Sequence, residues 1–302
     1  MRYIVTTANR FTDIDGYACC IAYADLLRKE GKDAIAVLPG ILNESVIPQV
    51  KAMPAMYDTT LISTSEDVFV MQDISEIKTF AGFVILDKVV EVFDHHFGYE
   101  LEWRERIGER AKIEKIGACA TLVVEEACNR NLLKDLDMSS QKLLYTAIFA
   151  NSLNLKSSNT TPRDIHALEL LAPLVDFPSN WQEIYFEAMQ KNILLDPINS
   201  LKNDLKITEI NGKEWAIGQL ELWNGKAFFD SNEQNLTDFL ANLRQEYAFV
   251  TVPSILEGKT YVLAKNETTR MVLRKLGFED KVPLSSLRSR KEWISGINEQ
   301  KD

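Results

Sequence analysis

Val89-Val90-Glu91-Val92-Phe93-Asp94-His95-His96 decides how the chain is read. Its apolar first half reads as a buried strand, and its end carries two of the three histidines in the sequence. Charged and imidazole groups at the C-terminal end of such a strand are what a parallel α/β sheet uses to build a site. A second acidic cluster, Thr12-Asp13-Ile14-Asp15-Gly16, follows the opening strand Tyr3-Ile4-Val5-Thr6. A third acid, Asp73, ends the apolar run Val68-Phe69-Val70-Met71. Neighbouring strands lie about 4.8 Å apart, so three strand ends bring these groups into one cluster. Crowded carboxylates repel one another unless divalent cations neutralise them. That is the physical case for metal, and for two ions bridged by a shared carboxylate. The competing reading is that Asp13, Asp15 and Asp94 are helix N-caps or loop acids. Asp87 competes with Asp73 as the third acid.

Composition narrows the class. An apolar fraction of 46% and a charged fraction of 26% are those of a globular protein, and 302 residues suit two domains. The net charge of −10 argues against long nucleic acid or an anionic membrane as partner. Cysteines at 19, 20, 119 and 128 form no Cys-x-x-Cys pair and fall in apolar helical stretches, so they read as reduced core thiols. Cys119 reads as core packing and not as a nucleophile, and His166 as a surface histidine. No apolar run reaches the roughly 18 residues of a membrane span, and the N-terminus enters a strand at once. The expected location is cytoplasmic.

Strand and helix alternate through the first half. Strands are expected at 3–7, 34–38, 68–71, 83–86 and 89–93, with helices at 16–30, 117–130, 138–150 and 162–175. This βαβ order predicts an α/β fold with a parallel sheet covered by helices on both faces. The pattern breaks near 176–198, at Asp176-Phe177-Pro178 and Leu195-Asp196-Pro197. Beyond it come strands near 205–208, 214–222, 247–253 and 260–265, with helices near 233–246 and 268–276. Two domains are expected, 1–190 and 191–302, the second smaller, α/β, with a mixed sheet.

At these residues the chain resembles the DHH phosphoesterase superfamily, in the branch with a DHHA2 C-terminal domain. That branch contains family II manganese-dependent inorganic pyrophosphatases, cytosolic exopolyphosphatases and prune-like proteins. Asn9-Arg10-Phe11-Thr12-Asp13-Ile14-Asp15 occupies the first motif, and Asp73 stands 21 residues before Asp94. Ile116-Gly117-Ala118-Cys119-Ala120-Thr121 and Ala147-Ile148-Phe149-Ala150-Asn151-Ser152 resemble later motifs of the family. So do Asp204-Leu205-Lys206 and Ser289-Arg290-Lys291-Glu292-Trp293.

The resemblance implies a metal-dependent hydrolase of phosphoanhydride bonds, acting on pyrophosphate or short polyphosphate by in-line attack of a metal-bound water. It implies Asp13, Asp15, Asp73 and His95 as ligands of two Mn²⁺ or Mg²⁺ ions, with Asn9 and Asn151 at the remaining ligand positions. Asp94 and His96 would be catalytic, His96 contacting phosphate or protonating the leaving oxygen. Lys206, Arg290 and Lys291 would hold the substrate's phosphates, Arg290 and Lys291 also opposing transition-state charge. The site would lie in a cleft between the domains and assemble on closure. A homodimer through a sheet edge stays open.

Two positions depart from the pyrophosphatase pattern: Asn9 replaces its first-motif His, and Asn151 its fourth-motif Asp. Asn9 makes one site all oxygen, which favours Mg²⁺ over Mn²⁺. Asn151 removes a negative charge, although an Asn oxygen can still ligate. An alternative follows, a weakened homologue that binds phosphate-rich ligands or a protein partner. A nucleotide phosphodiesterase ranks lower, because the companion Gly-Gly-Gly-His stretch is missing. A P-loop enzyme is disfavoured by the absence of Gly-x-x-x-x-Gly-Lys.

Overall fold

The computed structural model describes residues 1–300. The chain divides into two units, residues 1–155 with 160–182, and residues 156–159 with 183 onward.

The first unit is built on five parallel strands, β1 (Arg2–Thr6), β3 (Asp33–Val37), β5 (Asp67–Gln72), β6 (Val89–Asp94) and β7 (Ala111–Ile113), in the order β3-β1-β5-β6-β7. Two short strands, β2 (Phe11–Thr12) and β4 (Ile41–Leu42), pair separately. The chain runs from β1 outward to β3 and then returns past β1 to β5. The strand order therefore reverses beside β1, which is where open α/β sheets place ligands. Helix α1 (Ile14–Lys29) is buried from Ile14 to Leu27, with Ala18, Cys19, Cys20, Ala22 and Ala24 supplying small side chains for close packing. Gly31, at φ +78°, ends it in a conformation that costs glycine nothing. A short helix, α2 (Pro48–Lys51), and α3 (Glu100–Ile107) lie in the connections, and α4 (Cys119–Asn129), α5 (Met138–Asn151) and α6 (Pro162–Leu171) follow β7.

The expected strand at 83–86 is not one. Two strands separated by two residues would have to form an antiparallel hairpin, whereas β5 and β6 are parallel and need a crossover. Phe83, Val84 and Leu86 instead pack half-buried against the core of Ile4, Phe69, Met71, Val92 and Trp103, with one 3₁₀ turn at Leu86–Lys88. The helix expected at 162–175 ends at Leu171 and tightens into a 3₁₀ turn containing Pro173. Across the break, where a helix or linker is expected at about 190, the chain forms helix α7 (Trp181–Leu195).

The second unit carries a mixed sheet ordered β11-β10-β9-β8, from β8 (Lys206–Ile210), β9 (Lys213–Gln219), β10 (Tyr247–Ser254) and β11 (Lys259–Ala264). Only the β9–β10 pair is parallel. Trp215, Phe249, Leu273, Phe278 and Trp293 form its core. Helices α8 (Pro197–Asp204), α9 (Gly225–Ala241), α10 (Glu267–Arg274) and α11 (Arg290–Glu299) complete it. Helix α9 begins eight residues before the expected start at 233 and ends before 246. No described helix is long and apolar enough to cross a membrane.

Candidate metal centre

The strand ends deliver the acids and histidines to one place. Gln72 pairs with Phe93, so the residues that follow, Asp73 and Asp94, leave β5 and β6 at the same level. Asp73 takes φ +57°, and its N–H donates to the Phe93 carbonyl at 2.8 Å. Asp tolerates this left-handed conformation better than most residues. Two residues on, the Ser75 carbonyl accepts the indole N–H of the fully buried Trp103 at 2.7 Å, fixing the loop to the core.

Asp13 is the N-cap of α1, its Oδ1 accepting from the N–H groups of Asp15 and Gly16 at 3.1 and 2.9 Å. Capping uses one oxygen, so it leaves the other for a further partner. Asp15, in the first turn of α1, is fully buried. Its Oδ2 accepts from Cys119 N at 2.8 Å and from the Asn151 amide; its Oδ1 accepts from Ala120 N at 2.9 Å and the Cys19 thiol at 3.5 Å. Burial, and then the charge of Asp73, pushes its carboxyl up to about 7, against the opposing Ala120 N–H.

His95 is 5% exposed, and its Nδ1 lies 3.1 Å from the Ile116 carbonyl. A carbonyl only accepts, so Nδ1 carries the proton and the neutral ring presents a lone pair at Nε2. That Nε2 stands 3.3 Å from Asp73 Oδ1 and 3.7 Å from Asp15 Oδ2. A lone pair facing two carboxylates is repulsive until a cation or a proton stands among them. A ring oriented by a backbone carbonyl is also the usual state of a metal-ligating histidine. The donor set therefore fits a divalent cation, and atoms of Asp73, His95 and His96 all lie within 4.8 Å of one another.

Asp94, fully buried, organises the histidine pair. Its Oδ1 accepts from His95 N at 2.7 Å and His96 N at 3.1 Å, and meets His96 Nδ1 at 2.7 Å. Burial would raise its carboxyl, but the facing His96 holds it well below the usual carboxylate range. The pairing fixes His96, which is half exposed, with Nε2 as its remaining ring nitrogen.

Sequence reasoning missed what holds this cluster. Segment 116–120 touches His95 through the Ile116 carbonyl and Asp15 through two N–H groups. It is clamped by Asp164 of α6, which is fully buried and accepts from Gly117 N (3.0 Å), Ala118 N (3.3 Å) and the Thr121 hydroxyl (2.6 Å). A Cβ on Gly117 would stand 2.8 Å from Asp164 Oδ2, so only glycine allows the approach. The signal was present as Thr161-Pro162-Arg163-Asp164, a capping box at the start of α6.

The other expected residues lie on other elements, Asn151 alone among them shown to touch a cluster acid. Asn9 is exposed, its amide donating to the Phe80 carbonyl at 3.2 Å. Asn151 is the last residue of α5 and meets Asp15. In the second unit Lys206 opens β8 and is exposed, while Arg290 and Lys291 open α11. Arg290 pairs with both carboxylate oxygens and the carbonyl of Asp204. Cys119 is buried, with burial pushing its thiol up to about 12, which suits packing and not nucleophilic chemistry. His166 is exposed.

Known proteins were compared with this fold and cluster. No protein-family model matches the chain. A Bacillus pumilus protein named "Probable manganese-dependent inorganic pyrophosphatase" is 30% identical over 210 residues, 68% of this chain and 64% of that protein. One of the same name in Listeria welshimeri is 25% identical over 299 residues, 94% of each. The A-adding tRNA nucleotidyltransferase of Aquifex aeolicus is 27% identical over 183 residues, 60% of this chain. The chain spans a fifth of that protein's length and just under two thirds of the B. pumilus protein's. A solved Methanococcus jannaschii structure, assigned to the family II inorganic pyrophosphatases, shares the fold at a TM-score of 0.69 and 20% identity, covering 99% of this chain and 98% of that one. Fold and cluster define a doubly wound α/β protein with an acid–histidine cluster at the strand ends that could hold a metal ion. In sequence the chain is similar to proteins named manganese-dependent inorganic pyrophosphatase, in keeping with the resemblance to the DHH phosphoesterase superfamily.

Proposed function

We propose that this protein is a metal-dependent hydrolase of phosphoanhydride bonds, with inorganic pyrophosphate or short-chain polyphosphate as substrate. The observation that carries the reading is the His95 lone pair aimed at two carboxylates, a geometry that asks for a cation. A divalent ion, when bound, supplies acidification of a water and neutralisation of phosphate charge. Asp73 and His95 are the proposed holders of that charge, with Asp13 and Asp15 beside them; Asn9 and Asn151 stand at the further ligand positions the resemblance implies, Asn151 with its amide turned to Asp15.

The chain's own groups do the rest. Asp94 fixes the His96 ring, leaving Nε2 to contact phosphate or to give a proton to the leaving oxygen. Lys206, Arg290 and Lys291 bind the substrate's phosphates, Arg290 through a planar fork and the lysines as point charges. The names of the pyrophosphatase relatives support the same bond type.

Phosphate release from pyrophosphate and from tripolyphosphate, with Mn²⁺ and then Mg²⁺, tests this reading. Turnover in wild type that is lost in Asp73→Ala is the expected result, and the substrate ratio names the preferred chain length. A second reading, a phosphate-binding protein without turnover, is favoured by the Asn151 amide that occupies Asp15. Wild-type silence with activity gained in Asn151→Asp would select it.

A further inference from the structure

We propose that Asn151 sets the metal stoichiometry of the centre, supplying to Asp15 a hydrogen-bond donor in the place of a second cation. The inference rests on the reading of the acid–histidine cluster as a metal centre. An ionised carboxylate offers about four lone-pair sites. On Asp15 all are taken: Ala120 N and the Cys19 thiol on Oδ1, Cys119 N and the Asn151 amide on Oδ2. Three of these donors belong to buried backbone or core and cannot move without unpacking the first turns of α1 and α4. The Asn151 side chain is the exception, a single amide at the C-terminus of α5.

Its chemistry decides the occupancy. Beside an anionic carboxylate an amide turns its NH₂ inward, because the reverse orientation sets a carbonyl lone pair against the carboxylate. Asn151 thus answers the charge of Asp15 within the protein. A carboxylate at the same position would repel Asp15 and could stay only with a cation between them. The cation-seeking face that remains is that of Asp73 and His95, 3.3 Å apart, with His96 alongside. The chain accordingly holds one divalent ion tightly, on the Asp73–His95 face.

The test is metal stoichiometry on the full chain, stripped with chelator and titrated with Mn²⁺ by calorimetry, with bound metal counted after gel filtration. Wild type should retain one ion per chain and Asn151→Asp two. Two ions held by wild type with affinities within about tenfold of each other would overturn the proposal. Should Asn151→Asp fail to fold, electron paramagnetic resonance of wild type in excess Mn²⁺ decides alone. An isolated six-line spectrum is expected, and the spectrum of an exchange-coupled pair overturns the inference. Wild type that binds no Mn²⁺ at all overturns the metal reading and this proposal with it. One bound ion without phosphate release fails the proposed hydrolysis and leaves the stoichiometry standing.

Discussion

The acid–histidine cluster and the Arg290 corner of the second unit are built on opposite plans. In the cluster, Asp15, Asp73, Asp94 and His95 are buried; Asp15, Asp73 and His95 are tied to backbone groups of a neighbouring segment, and the Asp94 carboxylate to the N–H groups of the two residues that follow it. At the Arg290 corner the guanidinium pairs with the Asp204 carboxylate, and both partners are partly exposed. Removing one partner of a buried charged network typically costs 3–5 kcal/mol, while a solvent-screened pair is worth about 0–1 kcal/mol. The first region is fixed before any ligand arrives. The second is screened by solvent, and under the proposed function its carboxylate would give way to a phosphate at little cost.

The sharpest break of this comparison is Asp73→Ala or His95→Ala. Turnover should fall by about 10⁴-fold, near 5 kcal/mol, measured as phosphate release at saturating metal. Acidity probes the same region. With its carboxyl raised to about 7, Asp15 is protonated in the metal-free protein at low pH. The stability this confers is full below the unfolded value near 4 and is lost as pH rises through about 7. Metal-free protein should therefore lose about 4 kcal/mol across that window, read as a falling Tm, and saturating Mn²⁺ should flatten the slope. Asp94, held low, acts only below pH 4 and leaves the window clean. Next, Asp164→Ala should weaken Mn²⁺ binding about 10–100-fold, since it frees the segment that orients His95 and Asp15. Thr161→Ala removes the α6 cap and spares that segment, so it should cost about 1 kcal/mol of stability with metal affinity unchanged. Equal loss of affinity in both variants would reduce Asp164 to a helix cap. The smallest effect belongs to the other region: Asp204→Ala should raise KM about fivefold or less and leave kcat nearly untouched.

How much of this was readable in the sequence follows from the range of the forces involved. Strands β1, β3, β5 and β6 announce themselves as apolar runs, and the polar residues that follow mark the sheet's C-terminal edge. That Asp15, Asp73, His95 and His96 converge there needed only the strand spacing. The run Phe83–Leu86 misled because an apolar stretch covering a sheet face has the same composition as a strand within it. Helices α3 and α11 were not expected, since charged sequences such as Glu100–Ile107 carry little apolar periodicity. The clamp of Asp164 on Gly117 and Ala118 spans over 40 residues and uses backbone N–H groups, which every residue but proline possesses. Within 116–120 only Gly117, which leaves room for the Asp164 carboxylate, hints at it. The Asn151–Asp15 contact spans 136 residues, and only its chemical oddity, an amide where the resemblance implies an acid, drew attention to it.

The indole of Trp103 gives the cluster an optical handle. It is shut away from solvent, and its N–H ends on the carbonyl two residues beyond Asp73. Tryptophan emission shifts with the polarity and the hydrogen bonding of its ring. Any ligand that pulls the 73–75 loop outward will lengthen that bond and change the emitted light, with no label attached.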